Sequence, residues 1–354
     1  MSESCETGVV LFNLGGPENL AAIEPFLVNL FSDREIIELP GGAALQPLMA
    51  RLIARLRLRS VRRNYSSIGG GSPQLAITTA QAAALEAQLN RAARTQPPRY
   101  RVFIAMRYTR PSAADALHGI NAAGITNLVT LTLFPHYSKA TTGSSRNEFE
   151  RTLARAEWRS TAARLEIRHI EHYAGDPRYL DAMAATVRTA WDSIPPDRRC
   201  RTVILFSAHG LPQKFIDEGD PYVEHINATR AGILARLGLP NRHVLAYQSR
   251  TGPVRWLGPG TEETLVELGR EGVTDVFVVP LSFVSDHIET LYEVDLLFAE
   301  VARRAGITGY YRPAALNVHP LFIDALARLV LDTAGGARQP ASQSSPSTAL
   351  AAVS

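Results

Sequence analysis

"REGVTDVFVVPLSFVSD" (270–286) holds a nearly unbroken apolar run that ends in a polar cluster. A run so short and so apolar, entered through a Gly-aliphatic-Thr-Asp turn, reads as a strand buried on both faces. "AAGITNLVTLTLFPHYS" (122–138) repeats the design with Asn in place of Asp. "GVVLFNLGGP" (8–17) and "TVILFSAHGLP" (202–212) form a second such pair. "YRVFIAMRY" (100–108) and "HVLAYQSR" (243–250) are further candidate strands, and helix-like stretches such as "TTAQAAALEAQLNRAAR" (78–94) separate most of them. Apolar strands alternating with helices predict a parallel sheet covered on both faces, and the paired motifs predict that this unit occurs twice. Any two α/β halves would share some of this likeness. The expected fold is α/β: two similar doubly wound parallel-sheet domains over 7–170 and 171–331, with a lip at 45–73 in the first. Ligands in such sheets bind at the carboxyl ends of the strands.

Composition narrows the classes. The chain has 354 residues, is 45% hydrophobic and carries a net charge of +3, so no global charge argues for nucleic acid. Two cysteines, Cys5 and Cys200, form no disulfide framework. The start carries Glu3 and Glu6 and no basic leader, and no run reaches the roughly 18 apolar residues of a spanning helix. A cytoplasmic setting is expected. The stretch 332–354, rich in Ala, Ser, Pro and Gln, reads as a disordered tail.

"LGGP" (14–17) and "IGGGSP" (68–73) lack the spacing of a phosphate loop, so no nucleotide is expected, and Pro17 suits a helix start. His209 directly follows an apolar strand. It is either a satisfied core histidine or a metal ligand and proton acceptor. Beyond the 275–283 strand come Ser285, Asp286, His287, Glu289, Glu293 and Asp295. Ser285 or Asp286 can cap a helix whose first turns hold Glu289. Glu289 and Glu293 are four apart on one face, and stacked like charges need a cation or a proton between them. "LQPLMARLIARLRLRSVRRNY" (45–65) is the main basic feature. As a helix it gathers Leu45, Leu48, Met49, Leu52, Ile53 and Leu56, with Arg51, Arg55 and Arg62 beside them. It is either a helix packed on the core or a lip that meets a membrane surface.

In order along the chain, "LFNLGGPENL", "FLVNLFSDREIIELP", "YSSIGGGSP", "FPHYSKATTGSS", "LFSAHGLP", "GDPY", "YQSRTGPVRWLGP" and "PLSFVSDHIETLYEVD" resemble the ferrochelatase family. Its members insert Fe(II) into protoporphyrin IX at the end of haem synthesis. The resemblance covers about 7–330 and implies two Rossmann-like domains enclosing a porphyrin cleft. It implies that His209 and Glu289 are the catalytic, metal-binding pair. Asp286, His287 and Glu293 match the path for protons and metal around that pair. Leu14, Tyr65, Ser72 and Arg107 fall where the family lines its porphyrin pocket, as do Tyr108, Trp256 and Phe283. Arg57 falls near the propionates. Family members with a [2Fe–2S] cluster take one ligand just after "YS" and three from a C-terminal extension. Lys139 stands at the first position here and the tail has no cysteine, so no cluster and no required cofactor are expected. Fe(II) and protoporphyrin IX are the expected substrates, with weak peripheral contact at an anionic membrane. Coproporphyrin III as substrate, or a non-catalytic haem- or porphyrin-binding protein, are the alternatives.

Overall fold

Strands β1 (Glu6–Asn13), β2 (Arg99–Met106), β3 (Asn127–Thr132) and β4 (Glu166–Ile170) form one parallel sheet, in the order β2-β1-β3-β4. Strands β5 (Val203–His209), β6 (His243–Gln248), β7 (Asp275–Pro280) and β8 (Gly309–Tyr311) form a second, in the order β6-β5-β7-β8. The two orders are the same, so the paired motifs occupy equivalent strands: β1 matches β5 and β3 matches β7. The computed structural model describes residues 6–39, 41–92, 99–250, 252 and 254–336. Cys5 and residues 337–354 of the expected tail lie outside them.

Six strands coincide with the apolar runs. The other two, β4 and β8, are edge strands of five and three residues, largely half-buried, and carry no apolar run to betray them. Alternation along β1 explains why it is apolar throughout. Val9 and Leu11 enter a central core shared with Ile204 and Phe206 of β5, while Val10 and Phe12 enter an outer core with Leu117, Phe149 and Trp158. On the outer side of the second sheet, Val203, Leu205, Val276 and Val278 pack with Val294 and Phe298. The last helix, Pro320–Ala334, includes the first residues of the expected tail and returns to the first half. There it packs on β3, β4 and the helix Gln74–Ala92.

Two local expectations are corrected. The helix after β7 is a π-helix, Glu289–Phe298, and neither Ser285 nor Asp286 caps it; Ile288 precedes it with no side-chain cap. Its wider turns are held by tertiary partners: the Tyr310 hydroxyl donates to the Val294 carbonyl (2.7 Å) and the Gln248 amide to that of Glu289 (3.0 Å). Secondly, Pro17 starts no helix. The "LGGP" turn runs on to Asn19, whose side chain caps a short 3₁₀ turn at Leu20–Ala22 before the helix Ile23–Ser32. The helix Gly42–Ser66, whose packing the sequence left open, buries Gln46, Ala50, Ala54 and Tyr65 but leaves Leu45, Leu48, Leu52 and Leu56 exposed, Leu56 at 74%. The small side chains let the helix sit close to the core, and the leucines point away.

Candidate active site

His209 is the last residue of β5, and the loop after β7 passes beside it. Phe283 stands between two histidines, edge-on to His209 (ring centroids 5.9 Å) and to His287 (4.3 Å). His209 Nδ1 is buried and has no hydrogen-bond partner among the described residues; the same holds for Glu289 Oε2. Burial pushes the His209 imidazole below its ordinary value, against the pull of Glu289, so the ring is neutral at pH 7. Two unsatisfied buried atoms, a ring nitrogen and a carboxylate oxygen, are a costly arrangement unless something binds them.

His287 Nδ1 donates to the Ser285 carbonyl (2.9 Å), which leaves the lone pair of the neutral ring on Nε2. That atom lies 3.0 Å from Glu289 Oε2, off the line of a ring N–H, so the contact is attractive only with a proton on one partner. One turn further along the π-helix, Glu293 Oε2 accepts from Ser249 Oγ (2.6 Å) and Gln248 Nε2 (3.1 Å). Burial, then the charge of Glu289, push the Glu293 carboxyl up to about 7 despite those bonds. Gln248 is held in turn by Ser207 Oγ (2.8 Å), and Ser249 adopts a left-handed φ of 62°. Gln248 and Ser249 belong to "YQSR" at the end of β6. Their position at a strand terminus was the available signal, but their partner lies 44 residues or more away.

The remaining expected residues divide into two groups. Leu14, Tyr65 and Tyr108 share one apolar cluster with Ile288, which joins the first half to the start of the π-helix. Tyr65 is buried and close enough to feel Glu289, and both push its hydroxyl pKa up. Ser72 lies under the "LGGP" turn, where its amide donates to the Pro17 carbonyl (2.7 Å). A Cβ on Gly16 would meet Ser72 Oγ at 2.6 Å, so this approach requires glycine. Trp256 pairs with Pro212 just after the His209 turn.

Two others are tied elsewhere. The Asp286 carboxylate accepts from Asn317 (2.9 Å), Thr290 (3.1 Å) and Arg312 (3.3 Å), and Arg312 also holds Asp295 (2.6 Å). Arg107 donates to Asp33 (2.7 Å) and Ser144 (2.7 Å), and the Tyr108 hydroxyl donates to the same Asp33 oxygen (2.7 Å). Burial alone would raise the Asp33 carboxyl, but Ser144, Tyr108 and Arg107 hold it below its ordinary value. Arg107 is therefore neutralised within the protein. Arg57, on the lip helix, stacks over Phe31 at 5.9 Å.

Comparison with known proteins bears on the family and the fold. The family model described as Ferrochelatase matches residues 6–334. The chain is 48% identical over 328 residues to Ferrochelatase of Geotalea uraniireducens, covering 93% of this chain and 98% of that one. It is 46% identical over 330 residues to Ferrochelatase of Synechocystis sp., covering 92% and 82%. Among solved structures, SirB from Bacillus subtilis with Fe3+ superposes with a TM-score of 0.50 at 13% identity, covering 93% of this chain and 96% of that one, a likeness of fold. With the motifs in order on matching strands and the match spanning both sheets, this chain belongs to the ferrochelatase family.

Proposed function

We propose that this protein is a ferrochelatase that inserts Fe(II) into protoporphyrin IX, releasing two protons, and that His209 and Glu289 carry the reaction. The unsatisfied His209 Nδ1 and Glu289 Oε2, both buried and with His209 within reach of the Glu289 charge, carry the reading. Neutral His209 accepts a pyrrole proton or offers its nitrogen to the metal, and Glu289 offers an oxygen. Two protein ligands make a weak site, which suits an ion that must leave for the macrocycle. Ligand type alone favours Cu and Zn over Fe(II), so some off-target insertion of Zn is expected. Glu293, poised at about 7 and held by Ser249 and Gln248, takes up and releases protons near neutral pH.

The pairing of Arg107 with Asp33 favours the substrate with two propionates over one with four. It leaves Arg57 as the basic side chain for the carboxylates. The chain's two cysteines fall short of the four thiolates of a [2Fe–2S] cluster, so the reading includes no such cluster and Fe(II) enters as substrate. No helix among the described residues is long and apolar enough to cross a membrane. The exposed leucines of Gly42–Ser66 and their arginine neighbours support weak contact with an anionic membrane face by an otherwise cytoplasmic enzyme. An anaerobic assay with Fe(II), comparing protoporphyrin IX with coproporphyrin III, tests the reading. Faster turnover of protoporphyrin IX is expected; preference for coproporphyrin III moves the chain to the alternative substrate, and haem retention without turnover overturns the enzymatic reading.

A further inference from the structure

We infer that Tyr222 and Ser282 are positioning residues that fix His209 through its backbone, an inference that rests on the role proposed for His209. The ladder between β5 and β7 ends at Ser207 opposite Pro280, whereas on the other side β5 pairs with β6 as far as His209 opposite Gln248. Ser207 accepts from the Leu281 amide (2.8 Å) on the β7 side, and Gly210 donates to the Gln248 carbonyl (2.8 Å) on the β6 side. Alternate residues of an inner strand turn their peptide groups to opposite neighbours, so His209 presents its N–H and C=O where β7 has ended. Buried peptide groups do not stay unpaired.

Two hydroxyls replace the missing strand. The His209 amide donates to Ser282 Oγ (2.8 Å), the Tyr222 hydroxyl donates to the His209 carbonyl (3.0 Å), and the two hydroxyl oxygens are 2.6 Å apart. Tyr222 has one proton and gives it to the carbonyl, so Ser282 donates to Tyr222. The ring closes with every donor used once.

Tyr222 is itself anchored in the first half of the chain. Its amide donates to Asp220 Oδ1 (3.0 Å), and Asp220 Oδ2 accepts from Ser138 Oγ (2.8 Å) and the Lys139 amide (2.9 Å). His136 packs edge-on to the Tyr222 ring at 6.0 Å. Its Nε2 lies 2.9 Å from Thr229 Oγ1, which gives its own proton to the Ala174 carbonyl and so accepts from His136. "HYSK", "GDPY", "PLSF" and "SAHG" thus converge on the peptide groups of His209. The arrangement suits a ring that must stay chemically free. His209 Nδ1 has no partner, so its placement comes from the backbone, and small misplacements of a reacting group are expensive in rate.

The test measures anaerobic chelation, porphyrin affinity by fluorescence quenching, and melting temperature for Tyr222→Phe, Ser282→Ala, the double variant and His209→Ala. Each single variant is expected to lower kcat roughly tenfold, with KM and Kd for porphyrin unchanged. The double variant is expected to lose no more than either single, because one ring is broken once. Wild-type kcat in both singles, beside an inactive His209→Ala, overturns the positioning role. So does a loss that multiplies in the double variant or that tracks a fall in melting temperature. An active His209→Ala instead overturns the role of His209 itself. Should Tyr222→Phe fail to fold, Ser282→Ala, which removes one oxygen, decides the matter.

Discussion

Two glutamates four positions apart decide how individual residues at the site respond to pH and substitution. Glu293 has an ordinary value of 4.5 and is pushed up to about 7 by burial, then by Glu289. The folded protein therefore holds a proton that the unfolded chain releases above 4.5. Stability from this group is full below that value and is lost as pH rises through about 7, a term of order 3 kcal/mol. Glu293→Gln is expected to abolish this decline, so urea midpoints of metal-free wild type and variant diverge between about pH 5 and 8. Parallel curves would mean that Glu293 stays ionised in the folded protein. In chelation assays, His209→Ala and Glu289→Gln are expected to lose nearly all activity, and Glu293→Gln less, since it lies one turn further from His209. Equal, mild losses at both glutamates would reduce the acidic row to helix-end electrostatics.

Among the elements, the helix Gly42–Ser66 is the one whose packing the sequence left most open. Its apolar pattern was legible, yet Ala50 and Ala54 face the core and the larger leucines face solvent. Arg51, Arg55 and Arg62 are exposed beside them, and the contact of Arg55 with Glu24 at 3.5 Å is itself exposed and contributes little. Each arginine near an anionic surface contributes about 1 kcal/mol, so replacing all three with Gln is expected to weaken liposome co-sedimentation on the order of a hundredfold. Chelation of detergent-solubilised porphyrin is expected to be unchanged. Absence of wild-type co-sedimentation even at low salt would leave the helix as a lid over the pocket.

The whole molecule is tied together by its last helix and its central core. Pro320–Ala334 packs on β3 and β4, and the central cluster includes Val9, Leu131, Phe206 and Phe277 from both sheets. Neither half closes its own apolar surface. Urea unfolding is therefore expected to be one transition, with tryptophan fluorescence and far-UV circular dichroism coincident. Leu326→Ala, at a fully buried site, is expected to cost about 2–5 kcal/mol and to lower that single midpoint without splitting it. Two resolved transitions would show that the halves fold separately.

The sequence by itself determined what short-range pattern can carry. Runs apolar on both faces specified six of the eight strands among the described residues and their parallel pairing, and the repeated strand-plus-loop motifs specified two sheets of one design. They also placed His209 at the end of its strand and Glu289 in the polar stretch that follows the next one, because both belong to segments leaving a strand's carboxyl end. Only the tertiary structure decided the rest. The edge strands β4 and β8 exist because a neighbour offers a ladder, and the π-helix persists because Tyr310 and Gln248 take its carbonyls. Asp33 removes Arg107 from solvent across 74 positions, and Tyr222 and Ser282 reach His209 across 13 and 73. Such contacts leave no period or spacing in the chain, since each depends on where two distant segments come to rest.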